Sequence, residues 1–188
     1  MRRPADCRAL PRACTISAFR AAAAAAAACR RPHVRRLSVT LTIRPIEPQD
    51  EARWRCLWDG YTRFYEREPD ETLTRHTWAR IMDPHAPVHA IVAVEDATVI
   101  GIANYILHEN TSTLTPVCYL QDLYVDPDAR AQGVGKQLID WLIAEMKTRG
   151  WSRLYWNTKE NNYRARGLYD KYTPHSGFVR YVVPNEDL

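Results

Sequence analysis

The chain has 188 residues, 46% hydrophobic and 26% charged, the size and mix of one globular domain with a sizeable core. Its net charge of +4 is uneven: residues 1–40 hold nine arginines against Asp6 alone, a net +8, so residues 41–188 carry −4. A mildly acidic folded part argues against a nucleic-acid partner, no membrane partner is expected, and no Cys-x-x-Cys, His-x-x-x-His or carboxylate cluster sits at metal-ligand spacing, so no metal is expected.

Residues 1–40 are rich in arginine and alanine, with the run Ala21 to Ala28, and alanine methyls alone bury little area. This segment is expected to be disordered or a non-native extension; a transit peptide is the alternative. Residues 41–188 are expected to form the single domain, in the cytoplasm, or in mitochondria if the leading segment is a transit peptide.

Leu41 to Ile46 alternates as a first strand. Trp54, Leu57, Trp58, Tyr61, Phe64 and Tyr65 then recur at helical spacing, which predicts a helix after Pro48 running to about Glu68, where Pro69 stops it. Asp70 caps a second helix through Leu73, Trp78 and Ile81, ended at Asp83-Pro84. Val88 to Glu95 and Val99 to His108 read as a hairpin about Asp96-Ala97-Thr98, and Pro116 to Asp126 as a mostly buried strand. A long helix from Val134 carries Leu138, Ile139, Leu142, Ile143 and Met146 on one face and ends at Gly150. Leu154 to Asn157 is a short strand, Asn162 to Tyr172 a helix, and Phe178 to Val183 the last strand. The order βααβββαβαβ is α/β with a mixed central sheet flanked by helices on both faces.

Arg130-Ala131-Gln132-Gly133-Val134-Gly135-Lys136 stands between a strand and that long helix. There the first backbone N–H groups lack intrahelical partners, the macrodipole is positive, and glycine lets a phosphate approach the main chain. A glycine turn of this kind also occurs for steric reasons only, and this one is neither a Walker loop nor a dinucleotide fingerprint. The second cluster decides between these readings: Asn162-x-x-Ala165-x-x-Leu168-Tyr169, followed by Gly177-Phe178. In this order, over roughly Leu41 to Val183, the two clusters resemble the GNAT N-acetyltransferases. Trp58 to Tyr65 and Cys118 to Val125 are similar to the HPA-type branch, associated with histone, polyamine and amino-acid acceptors.

The resemblance implies the GNAT fold and an enzyme that moves acetyl from acetyl-CoA to a primary amine (a small polyamine, an amino acid or a protein lysine) by direct attack in a ternary complex. A non-catalytic acyl-CoA-binding regulator on the same fold is the alternative. The amides of Gln132, Gly133, Val134, Gly135 and Lys136 would bind the pyrophosphate, with Arg130 and Lys136 adding charge. Leu123, Tyr124 and Val125 would pair through their main chain with the pantetheine arm. Asn162 would reach the cofactor, its plainer role being a helix N-cap. Tyr169 would be the general acid, its plainer role a core aromatic; a phenol near ~10 can donate to a departing thiolate near ~8.5.

The base is open. A lysine-type amine near ~10.4 is neutral in only about one molecule in a few thousand at pH 7. Similar polyamine enzymes carry a glutamate where this chain has Gln121, and an amide cannot accept a proton. Gln121 is therefore expected to orient the amine or a water, with Asp122, on the opposite strand face, and Glu109 as fallback bases. The junction Tyr65 to Glu71, four acids against one arginine, reads either as a negative mouth for a cationic amine or as a solvated face near a helix start. Similar proteins are commonly homodimers.

Overall fold

Five strands run side by side in chain order in the computed structural model, which describes residues 41–185. They are β1 (Leu41–Pro45), β2 (Val88–Glu95), β3 (Thr98–His108), β4 (Val117–Val125) and β5 (Leu154–Trp156). The first four pair antiparallel and β4 pairs parallel with β5, because the connection between these two is a helix that crosses the sheet. The helices are α1 (Glu51–Phe64), α2 (Glu71–Met82), α3 (Val134–Arg149) and α4 (Tyr163–Tyr169). The fold is thus α/β with a mixed central sheet and helices on both faces. The expected N-terminal extension, residues 1–40, lies outside the described residues.

Strand alternation divides the core into two layers. Ala90, Val92, Val99 and Ile102 pack with Trp54, Leu57, Trp58 and Tyr61 of α1 and Trp78 and Ile81 of α2. Ile91, Ala93, Ala103 and Leu120 face the other way, onto Val134, Leu138, Ile139 and Leu142 of α3. A strand such as β2 is therefore apolar almost throughout, since both its faces are covered. Two register slips break the alternation, one in the β2–β3 ladder at Ala93/Val94 and one in the β3–β4 ladder at Asn104/Tyr105.

Local chemistry sets the helix ends. Asp70 accepts a hydrogen bond from the Leu73 N–H at 3.0 Å and opens α2. Gly150, at φ 69°, closes α3. The first helix ends at Phe64, short of the expected Glu68: the Arg67 N–H bonds back to Thr62 O and the Glu66 N–H to Arg63 O, with Glu66 left-handed at φ 58°. This hydrogen-bonded reversal stops the helix before Pro69 is reached.

The expected last strand, Phe178 to Val183, does not form: these residues make no ladder, and Phe178 is 92% and Val183 95% exposed. β5 has only three residues, too short an edge to hold a six-residue strand. The element order among the described residues is accordingly βααβββαβα.

Candidate functional site

The ladder between β4 and β5 covers only Cys118 to Leu120 against Leu154 to Trp156. Beyond Leu120, β4 continues to Val125 while the chain after Trp156 leaves the sheet. Leu123, Tyr124 and Val125 pair with Ala103, Ile102 and Gly101 on one side; on the other, no strand among the described residues meets them. The result is a fork whose β4 side is paired with β3 on one flank only; alternate main-chain groups along it face the gap, and of these the Val125 carbonyl accepts from Arg130 Nε.

At the root of the fork lies a bulge. Asn104 pairs with Asp122 but Tyr105 with Leu120, so Gln121 is the extra residue. It is exposed, and because of it both Leu120 and Leu123 point to the α3 layer although they are three apart. Asp122 points the other way and is only 5% exposed. Its carboxylate accepts hydrogen bonds from Asn104 Nδ2 at 3.1 Å and from the Tyr61 hydroxyl. Burial raises its pKa, against the lowering effect of those donors and of Arg67. Gln121 and Asp122 thus do not share a face, and the structure does not bring Asp122 into the fork. Glu109 is exposed just past the rung of His108 and Val117, at the far end of β4 from the cradle.

β4 leads straight into the glycine segment. Asp126 accepts from the Asp128 N–H at 3.0 Å and forms a half-buried ion pair with Arg53 of α1, whose Nε also donates to Val99 O at 2.9 Å. A helix residue thereby fixes the start of the turn. Ala131 (φ 66°) and Gly133 (φ 78°) are both left-handed, a conformation that costs a non-glycine residue about 1–2 kcal/mol and turns successive N–H groups toward one side. Gly133 is the N-cap of α3 and provides no side-chain cap, and a Cβ built on it meets nothing within 4 Å. The first amides of α3, at Val134, Gly135 and Lys136, therefore open onto free space at a positive helix end. That arrangement fits a diphosphate.

The charged neighbours differ. Arg130 Nε donates to Val125 O at 3.1 Å, with its guanidinium 5.3 Å over the Tyr124 ring, so it is held at the junction of β4 and the cradle. Lys136 instead bonds Asp140 at 2.6 Å, and the Tyr172 hydroxyl bonds Asp140 at 2.7 Å and Lys136 O at 3.1 Å. Partial burial pulls the Asp140 carboxyl upward, and the Lys136 and Tyr172 hydrogen bonds outweigh it, holding it below the usual range. Lys136 offers its amide to the cradle while its ammonium is balanced.

Across the fork stands α4. Asn162 caps it, accepting from the Ala165 N–H at 3.4 Å and donating to Thr158 Oγ1 at 3.1 Å; an amide side chain retains one donor and one lone pair after these. Tyr169 lies half-buried in the α3 layer, tilted against Trp156 at 5.3 Å, the last residue of β5 before the fork. Burial, with a smaller push from Tyr65, raises its pKa to about 12. Of its rivals, Tyr163 is 75% exposed and Tyr172 has its hydroxyl engaged as described.

Sequence reasoning missed an aromatic group at the root of the fork. Tyr119 and Tyr155 stack at 4.9 Å, the Tyr155 hydroxyl meets His108 Nε2 at 3.0 Å, and Asn157 Nδ2 donates to the Tyr119 hydroxyl at 3.2 Å. The only signal was that tyrosines fell in two separate strand segments, and their partnership depends on the β4–β5 register. At the acidic junction, Asp70 is spent on the α2 cap and Glu71 on Arg55 at 3.0 Å, leaving Glu66 and Glu68 exposed beside Tyr65.

Comparison with known proteins bears on the family and the fold. The model of the Acetyltransferase (GNAT) family matches residues 52–173. The D-amino-acid N-acetyltransferase HPA3 of Saccharomyces cerevisiae is 34% identical over 133 residues, 70% of this chain and 83% of that protein. Among solved structures, the ribosomal-protein-alanine N-acetyltransferase of Brucella melitensis biovar Abortus 2308 superposes with a TM-score of 0.64 at 23% identity, over 78% of this chain and all of that one. The aminoglycoside N-acetyltransferase AAC(6')-Iy in complex with CoA superposes at 0.65 with 18% identity, over 81% and 99%. At such identities the superpositions speak for the fold alone.

Proposed function

This chain belongs to the GNAT family of acetyltransferases, acetyl-CoA-dependent acyltransferases, and from that premise we propose that it acetylates the primary amine of a small molecule, an amino acid or polyamine, by direct attack in a ternary complex. The observation that carries this reading is the fork itself: a β4 edge from Gln121 to Val125 that no strand among the described residues covers, ending at a helix N-terminus without a side-chain cap. The substrate class is supported by the relative named for D-amino acids and by the exposed Glu66 and Glu68 beside Tyr65, which suit a cation.

In this mechanism acetyl-CoA, as co-substrate, supplies the thioester. The amides of Gln132 to Lys136 hold its diphosphate and Arg130 adds charge. Leu123, Tyr124 and Val125 align the arm by main-chain hydrogen bonds. Asn162, with its remaining donor and lone pair, faces the arm from α4. The amine nitrogen attacks the carbonyl carbon, the C–S bond breaks, and the Tyr169 hydroxyl gives a hydrogen bond or proton to the departing sulfur. Gln121 orients the amine or a water that carries its proton to solvent. Direct attack is favoured over an acyl-enzyme because Cys118, the free cysteine among the described residues, is fully buried and its thiol is pushed up to about 12.

The proposal extends to a homodimer, supported by the exposed apolar segment after α4, and to a cytoplasmic location. Calorimetry with coenzyme A, followed by thiol release from acetyl-CoA against D- and L-amino acids, polyamines and histone-tail peptides, tests it. Uptake of coenzyme A and release with an amino acid or polyamine are expected. Uptake without release for any amine would make the protein a regulator, and no uptake would end the proposal.

A further inference from the structure

Behind the bulge at Gln121, on the face turned to α1, four side chains form a continuous hydrogen-bonded chain. Trp54 Nε1 donates to Asn104 Oδ1 at 3.3 Å, Asn104 Nδ2 donates to Asp122 Oδ2 at 3.1 Å, and the Tyr61 hydroxyl donates to the Asp122 carboxylate. None of the four is more than 8% exposed. Polar groups buried this deeply cost about 1–3 kcal/mol each when left unpaired, so the set holds together only in the arrangement that pairs all of them. That arrangement is specific: Asn104 and Asp122 are partners across the last regular rung before the register slips and Gln121 is left over.

A β4 strand without the bulge would return to strict alternation. Leu120 and Leu123 could not then both lie on the α3 layer, and a one-residue slip turns every side chain and amide beyond it to the other side. The amides at stake are those lining the fork. The same helix grips the next residue on that face, since Tyr124 lies against Gly60.

We propose that Asp122, clasped between Tyr61 and Asn104, is a positioning residue that fixes the bulge at Gln121, and with it the line of β4 amides facing the thioester, and is not the base that takes the amine proton. The proposal rests on the acetyltransferase reading for its kinetic consequence, whereas its structural consequence is measured on the protein alone.

Three variants test it: D122N, D122L and Y61F. Asparagine keeps the shape, accepts from Asn104 through Oδ1 and can donate to the Tyr61 oxygen, so D122N should keep kcat within about threefold and leave the pH profile of kcat/KM unchanged. In D122L, hydrogen exchange of the amides from Gln121 to Val125 should speed up markedly relative to those of β2, and kcat should fall by roughly 10- to 100-fold through misplacement of the thioester. Y61F, which removes one donor and keeps the ring, should show a weaker form of both effects and carries the comparison if D122L does not fold.

A fall of about 100-fold or more in D122N, with the acidic limb of the profile flattened, would make Asp122 the base and overturn the proposal. Unchanged exchange at Gln121 to Val125 in D122L, or in Y61F where D122L does not fold, would overturn it as well. Should the wild type bind no coenzyme A, the acetyltransferase reading fails separately, and the exchange comparison still decides whether Asp122 holds the bulge.

Discussion

Tyr169, proposed as the acid, combines a place beside the fork with a hydroxyl that stays protonated. It sits against Trp156, where β5 leaves β4, and burial followed by the influence of Tyr65 keeps its pKa near 12. At neutral pH it is therefore fully protonated and can donate a hydrogen bond to the departing sulfur, although full proton transfer to a thiolate of solution pKa about 8.5 would run uphill. The sign of its pH dependence follows: the active form is the acid, so its contribution is complete well below pH 12 and is lost only as pH rises through that value. The kcat/KM profile should thus climb with deprotonation of the substrate amine and show no descending limb from Tyr169 below about pH 10.5. Tyr169→Phe should lower kcat by about 100-fold or more while leaving the calorimetric affinity for coenzyme A nearly unchanged. A variant with wild-type turnover, or a descending limb near pH 8 that the variant abolishes, would remove this residue from the chemistry.

At the scale of elements, the approach of α1 to β4 governs the site. Gly60 lies inside α1, where glycine costs about 1 kcal/mol relative to alanine, yet an alanine Cβ there would fall 2.7 Å from the Tyr124 hydroxyl and 2.9 Å from its ring. Overpacking of that kind costs typically 1–3 kcal/mol, and the Tyr124 ring has little room, with Tyr61 edge-on at 6.5 Å and Arg130 over it at 5.3 Å. The packing term should win: Gly60→Ala is expected to destabilise by up to about 2 kcal/mol once the helix gain is subtracted, seen as a lower Tm, and to raise the KM for acetyl-CoA by displacing Arg130. An unchanged Tm and KM would show that α1 can move away without consequence. The period of Trp54, Leu57, Trp58 and Tyr61 revealed this helix in the sequence, and the glycines between β4 and α3 revealed the turn that opens α3, because both signals are local. The bulge was not legible, since the spacing of Leu120 and Leu123 acquires meaning only against β3. Nor was the partnership of Asp126 with Arg53, which are 73 residues apart. Asp122 was expected to face away from Gln121; what the sequence lacked was the long-range pairing with Asn104 and Tyr61 that occupies its carboxylate.

For the whole molecule, the outer edge of β5 and the segment after α4 present one problem. β5 is a three-residue edge strand, and beside it a cleft of about 600 Å³ is lined by Trp156, Asn157, Tyr169, Pro174 and Phe178. The chain then runs on through Val179, Tyr181, Val182 and Val183, exposed by 64–95%, with the β-branched and aromatic content of a strand. An open edge and an unpaired apolar segment in the same chain are complementary, and two copies related by a twofold axis would satisfy both at once. Exposed aromatic side chains carry roughly 150–250 Å² each, so burying Phe178 and Tyr181 twice over, with the valines, approaches the area of a specific interface of about 1,200 Å² or more. The expected outcome is a dimer in sedimentation or light scattering. Replacing Phe178 and Val182 together by serine should give monomers with the sheet and cradle intact, and, because the cleft reaches Tyr169 and Asn157, should lower kcat as well as mass. A wild-type protein that stays monomeric at every concentration tested would overturn the dimer, and a serine variant that still dimerises would place the contact elsewhere on the molecule.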